Sequence, residues 1–403
     1  MKILMVCTNP LIKSKEVGTS VGLGKLLKLL SAHNELVFLD AIGGKSGSHG
    51  STSSMNSGKT YHFRQRYVQG KSLAIFSDWN ISFLLNLRKV IKKESPDLIC
   101  ITEPWGITHA SILCRATPII YDAYDVVSEH SKIMYRFLEN DYPILKNPII
   151  KGAVWPLFSG YILLLEKLAC KRATHIIAVT DSDRERFIVK YSASPDKITT
   201  VPLWVEWNNS FFSKRRIEIS KGSKITVVFH GFYGYIANYE AFKLIQDYLA
   251  PEIWRRNRNI QFVLAGTDVP KFERENIKSV GYVDDLSTFL ADSDIAIVPI
   301  LHGTGVGVKM FDYMAAGLPI ISTRIGIRGI EAENGVHAII LDTVGEKFIQ
   351  AILKLADNPL ERQRLGRNAH ELGLKHYSRE AAQKKLDQVL DSLQKQLAKA
   401  SGS

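Results

Sequence analysis

Short, β-branched apolar runs alternate with longer amphipathic ones along this chain. Lys2 to Cys7, Leu36 to Leu39, Leu98 to Ile101, Ile119 to Tyr121, His175 to Val179, Ile225 to Phe229, Ile260 to Gly266, Ile295 to Val298, Ile320 to Thr323 and Ile339 to Leu341 read as strands buried on both faces. Between them the segment LGKLLKLLSAH, Ile81 to Lys93, the stretch from Val308 with Met310, Phe311, Met314 and Ala315, Gly345 to Asp357 and Tyr377 to Leu397 repeat apolar residues at helical spacing. The alternation predicts an α/β protein with parallel sheets.

Composition narrows this only a little. A chain of 403 residues is long enough for two domains with separate cores, and 45% hydrophobic with 23% charged residues is ordinary for a globular protein. The net charge of +12 favours anionic partners such as nucleotide sugars or acidic lipid surfaces. The basic residues are dispersed with no nucleic-acid-binding motif, so no nucleic acid is expected as a partner. Cys7, Cys100, Cys114 and Cys170 lack metal-type spacing and read as reduced buried thiols. The apolar start is too short for a signal peptide, and the expected location is cytoplasmic. Gly43 to Thr60 is rich in Gly, Ser and Thr and predicts a mobile loop.

Candidate chemistry concentrates in Pro299 to Gly329. Gly303, Gly305 and Gly307 allow backbone to approach a ligand, and a helix starts just after them. Its first-turn amides and dipole, with Lys309 in the same turn, form a phosphate site. Asp312, three residues on, shares a face with Lys309 and can accept hydrogen bonds from a diol such as a ribose. No Gly-Lys-Ser/Thr closes the loop, so it is not a Walker sequence.

The segment GVGVKMFDYMAAGLPII is similar to the pattern G-x-G-x-K-x-x-E-Y-M-A-x-G-x-P-V-V of retaining glycosyltransferases of the group 1/family 4 type, with Asp312 in the glutamate's place. Further resemblances lie in the strand from Pro96 to Ile101, in YILLLEKLACKRATHIIAVTDSDRERF, in His230 to Asn238 and in Gly281-Tyr282-Val283. The resemblance implies a GT-B fold, two facing Rossmann-like domains over 1–205 and 206–376, with a last helix over 377–403 returning to the first.

It also implies an activity: transfer of a sugar from a nucleotide-diphosphate donor to a glycan or lipid-linked acceptor, with retention and without a metal or resident cofactor. The diphosphate would lie on the turn of Gly305, Val306, Gly307 and Lys309 and the ribose on Asp312, while Thr304 would hydrogen-bond a sugar hydroxyl. Gly231 and Gly234 would bring backbone amides to the diphosphate, Gly266 at the carboxyl end of its strand would contact the substrate, and the backbone at Val283 would meet the base. In the first domain, Gly22 would stand in the glycine loop after the first strand. Tyr124 occupies the position of the family's histidine beside the transferred sugar. Asp125 next to it has two readings, a contact to donor sugar or acceptor as hydrogen-bond acceptor or base, or a cap of the next helix. The first carboxylate of the Glu, seven residues, Glu motif falls on Thr304. A nucleotide-sugar epimerase on the same fold and a non-catalytic nucleotide- or membrane-binding partner of another transferase are the alternatives.

Three further expectations concern single features. Asp40 reads as a strand-end cap rather than a ribose ligand, and Glu166 as a structural residue paired with cations on its own helix. The apolar run Ala153 to Leu165, interrupted by Pro156, is too short to span a bilayer. With Lys146, Lys151, Lys167, Lys171 and Arg172 around it, the segment 146–172 reads either as a peripheral contact with anionic membrane or as a core helix.

Overall fold

The computed structural model describes residues 1–8, 18–42, 58–64, 67–68, 71–72, 80–115, 117–131, 135, 139, 143–205, 224–303 and 306–401. The chain forms two compact units, residues 1–201 with 384–403 and residues 202–383.

In the first unit the strands β1 (Lys2–Cys7), β2 (Glu35–Ile42), β3 (Lys59–Arg64), β4 (Leu98–Ile101), β5 (Ile119–Ala123), β6 (His175–Ala178) and β7 (Ile198–Thr200) form one parallel sheet in the order β3-β2-β1-β4-β5-β6-β7. Ile3, Leu4, Val6, Ile99, Ile101 and Tyr121 are fully buried, as the continuous apolar runs require of a sheet covered on both faces. Covering it are α1 (Gly18–Leu30), α2 (Ile81–Glu94), α3 (Ile107–Leu113), α4 (Pro148–Arg172) and α5 (Asp181–Tyr191). β3 begins at Lys59, within the polar stretch that was expected to be a loop; residues 43–57 of that stretch lie outside the described residues. Asp40 lies inside β2 and is buried, so it does not cap the strand.

Two features of α4 differ from expectation. Asn147 caps it, its side chain accepting from the amides of Ile149 at 3.0 Å and Ile150 at 3.5 Å, and the helix runs unbroken through Pro156. A proline removes one intrahelical hydrogen bond, a local cost that the packing of Trp155, Phe158 and Ile162 against Tyr135 and Trp105 offsets. The helix is 25 residues long and, by length and composition, apolar enough to cross a membrane. Glu166, fully buried, pairs with no cation of its helix. It accepts from the amides of Val127 (2.7 Å) and Ser128 (3.0 Å) and from the Tyr191 hydroxyl, and so caps the turn that follows β5.

The second unit repeats the plan. Its strands β8 (Ile225–His230), β9 (Ile260–Ala265), β10 (Glu273–Arg274), β11 (Ile277–Gly281), β12 (Ile295–Val298), β13 (Ile320–Thr323) and β14 (Ile339–Leu341) lie in the order β10-β11-β9-β8-β12-β13-β14, parallel except for the pair β10 and β11. Asp294 latches β12 to β8, its carboxylate accepting from the Thr226 amide at 2.8 Å while its own amide donates to Thr226 O. The helices are α6 (Ile236–Leu244), continued through a π turn into α7 (Ala250–Arg256), then α8 (Leu286–Ala291), α9 (Val308–Ala315), α10 (Glu346–Asp357), α11 (Pro359–Tyr377) and α12 (Arg379–Ser401). The residues of α12 from Lys384 onward belong to the first unit.

Candidate active site

In the second sheet the chain steps outward from β8 in one direction and from β12 in the other. These adjacent strands end at His230 and Val298, and their carboxyl ends flank the point where strand order reverses, which is where open α/β sheets hold ligands. Helix α9 begins at this point. Gly307 is its N-cap, with no side-chain cap, so the first-turn amides keep their partial positive charge.

Lys309 turns inward from that first turn. It is 8% exposed, donates from Nζ to Asn238 Oδ1 at 2.7 Å and lies 4.9 Å from the centre of the Phe229 ring. Among the described residues no ion pair joins it to a carboxylate. Burial pushes its pKa down to about 8, against the pull of Asp312 one turn further on. Asp312 carries Oδ2 to 3.6 Å from His230 Nε2. His230 is neutral: burial and then the Lys309 charge push it down to about 3. Its Nε2 is buried with no hydrogen-bond partner among the described residues. The Tyr313 ring holds it edge-on at 5.0 Å, and Tyr313 Oη accepts from the His230 amide at 3.0 Å. The result is a small polar cluster with a buried ammonium, a carboxylate and an imidazole nitrogen without a partner among the described residues, chemistry that suits an anion beside a hydroxyl-bearing group.

The loop glycines are held by backbone bonds between strands. The amide of Gly231 donates to Ala265 O at 3.1 Å and that of Gly266 to Gly281 O at 2.8 Å, which ties the loops after the strands together. Gly266 has φ +129, and a Cβ there would stand 1.9 Å from Gly231 O. At Gly266 the close neighbour is the Gly231 loop, and at Gly231 a Cβ would meet Asn238 Nδ2 at 3.0 Å. At Gly234 a Cβ would meet the Phe232 ring at 2.3 Å. Val283 is half-buried two residues past Gly281, whose φ is +80. Val306 and Gly307 are half-buried, whereas Thr304 and Gly305 lie outside the described residues.

The first sheet has its own reversal, between β1 and β4. Just past those strand ends Thr8 Oγ1 and Trp105 Nε1 both donate to Glu103 Oε2. Asp122, next to last in β5, is 6% exposed, and burial raises its pKa to about 7. Asp125 accepts at 2.8 Å from the Val126 amide, which opens the short turn Val127–His130. Gly22 lies inside α1, not in a loop, and a Cβ there would fall 1.8 Å from Cε2 of Tyr124, so the Tyr124 ring rests on the helix backbone. Burial pushes the Tyr124 phenol up from its usual range. Glu103 and Thr8 carry no motif, and His230 opens a family-like stretch that does not single it out; the signal for all three in the sequence is position, each at or within two residues of a strand's carboxyl end.

Family comparisons agree with this architecture. Residues 224–358 match the model for glycosyl transferases group 1, and residues 54–207 match that for glycosyltransferase family 4. Among solved structures the chain is similar to Anabaena HepE in complex with UDP-glucose, at 14% identity and a TM-score of 0.66, covering 97% of this chain and 100% of that one. It is also similar to sucrose-phosphate synthase from Thermosynechococcus elongatus, at 13% identity and a TM-score of 0.68, covering 98% and 99%. A curated relative, a D-inositol 3-phosphate glycosyltransferase from Kineococcus radiotolerans, is 22% identical over 239 residues, 51% of this chain. The match spans about half (54%) of that relative's length. The fold is GT-B, two parallel-sheet units. The two family models together cover most of the chain, which belongs to the group 1/family 4 glycosyltransferases.

Proposed function

We propose that this protein transfers a glycosyl group from a nucleotide-diphosphate sugar to a hydroxyl of a glycan or lipid-linked acceptor, with retention, on the cytoplasmic side of a membrane that it contacts through 146–172. The observation that carries the reading is Lys309, a buried ammonium at the start of α9 with an amide and a ring face for neighbours, Asp312 one turn on, and no ion pair among the described residues. A diphosphate would supply the missing counter-charge. As the anomeric bond breaks, negative charge grows on the leaving phosphate, and a fixed ammonium with helix amides beside it stabilises that state more than the ground state. Asp312 would accept from a ribose or sugar hydroxyl, and His230 Nε2 would gain the partner it lacks. On the first unit Asp125 and Tyr124 are the residues proposed to meet the acceptor or donor sugar. The reaction calls for no resident metal or cofactor.

Uridine donors are the first to try, because the HepE structure holds UDP-glucose. A panel of nucleotide sugars is screened for thermal stabilisation of the wild type and of Lys309→Ala, since a ligand bound only by the folded state raises its melting temperature. The expected result is stabilisation by one donor class, lost in the variant, with label transferred to a hydroxyl acceptor. Equal stabilisation of the variant would remove Lys309 from the site. Conversion of the free nucleotide sugar with no acceptor present would replace transfer by epimerisation.

A further inference from the structure

One side of α4 is exposed, with none of the described residues packed over it. Ile149 is 83% exposed, Leu157 75%, Leu164 52% and Leu163 42%, and Ile144 in the turn before the helix is 66% exposed. With Ala153 and Gly160 these positions recur every three or four residues and so form one stripe, about 23 Å long from Ile149 to Leu164 at 1.5 Å per residue. The stripe carries no charge over that length. It is continued by Lys167 and Lys171 and preceded by Lys146. The other basic residue of this half, Lys151, is turned off the stripe and paired with Glu139 at 2.7 Å. The helix's one acidic residue, Glu166, is buried on the opposite side.

We propose that α4 lies flat on an anionic lipid bilayer, with Ile149, Leu157 and Leu164 in the acyl region and Lys146, Lys167 and Lys171 at the headgroups. Flat, not spanning, follows from the far side of the helix. Ile162 and Leu165 pack on Trp105, and Trp155 and Phe158 lie 5.1 and 5.8 Å from the Tyr135 ring. Glu166 is fixed to the turn after β5. Crossing the bilayer would strip all of these contacts, whereas lying on it keeps them and covers only the bare side. Charge argues for anionic lipid over a second copy of the chain: cations bracket the stripe, no acid lies on it, and two chains of net charge +12 repel.

This refines the membrane contact proposed above and stands independently of the transfer reaction. The full-length chain is co-sedimented with phosphatidylcholine vesicles with and without phosphatidylglycerol. We expect binding that requires phosphatidylglycerol, falls at least about tenfold in the double variant Leu157→Glu, Leu164→Glu, and is unchanged by Leu360→Glu, an exposed leucine of the second unit. The native cysteines are all buried, so a polarity-sensitive fluorophore can be attached at Leu157→Cys. It should shift to the blue on anionic vesicles and remain removable by high salt. Binding indifferent to the double variant, a concentration-dependent dimer that shields the label without vesicles, or salt-resistant integral behaviour would each overturn the proposal. UDP-sugar stabilisation of the double variant in vesicle-free buffer should match the wild type, which separates failure here from failure of the glycosyltransferase reading.

Discussion

Replacing Lys309 by methionine, which is close to it in volume, should make the second unit more stable and blind to nucleotide. The folded pKa of about 8 lies below the ordinary 10.5 because burial penalises the ammonium. At roughly 1.4 kcal/mol per pH unit the difference corresponds to about 3 kcal/mol. The folded state holds fewer protons than the unfolded one between about pH 8 and 10.5. Wild-type stability therefore climbs across that window, and below pH 8 the whole penalty is present. Against this gain the variant loses the bond to Asn238 Oδ1, a charge-assisted contact worth roughly 1.5–3 kcal/mol. At pH 7 the two terms leave Lys309→Met between neutral and about 1.5 kcal/mol more stable, a rise of up to a few degrees for a unit of this size. Urea melts of both proteins from pH 7 to 10.5, with and without UDP, test the sign. The stability of the variant relative to wild type should fall by about 3 kcal/mol across the window, so that it becomes the less stable protein by pH 10.5, since other alkaline titrations cancel in the difference. Bound UDP should stabilise only the wild type and, above pH 8, should take up protons as its charge draws the Lys309 pKa upward. A difference that is constant with pH, or equal stabilisation by UDP, would refute the buried-ammonium argument.

Three further substitutions test other parts of the molecule. Asp122 has its pKa raised from 3.8 to about 7 by burial, so the folded state keeps a proton that the unfolded chain loses, and stability falls as pH rises through that window. Asp122→Asn should therefore gain up to roughly 4 kcal/mol at pH 8 and nothing near pH 3, measured by denaturant melts at the two pH values. Gly266→Ala combines φ +129 with a Cβ 1.9 Å from Gly231 O and should cost about 3 kcal/mol or more, read as a lowered melting temperature of the second unit. Gly22→Ala should destabilise by about 1–3 kcal/mol despite the better helix propensity of alanine, because Tyr124 fills the Cβ space; in a Tyr124→Ala background the same change should become stabilising by up to about 1 kcal/mol, a reversal that a double-mutant cycle reads directly.

What the sequence displayed and what it hid follow from the range of each signal. Strands β1, β4, β5, β8 and β12 are buried on both faces, and such strands print unbroken apolar runs that local reading detects. Strand β3, KTYHFR, sits at the sheet edge with Phe63 as its one fully buried residue, so nothing in its composition separates it from the polar stretch before it. Lys309 and Asp312 were legible because helical spacing is local, and their shared face followed from a difference of three. The glycines were legible only by half. A glycine signals that something approaches the backbone closely but not what approaches. At Gly22 it is an aromatic ring far along the chain, and at Gly266 another loop. The amides at Gly231 and Gly266 are consumed in holding the loops together, so more of the burden of meeting an anion falls on α9's first turn and on the buried Lys309 ammonium. The loop glycines then serve to set Asn238 and Lys309 in place: a Cβ at Gly231 would press within 3.0 Å of Asn238 Nδ2 and 3.4 Å of Lys309 Cε, displacing the pair that the proposed chemistry needs.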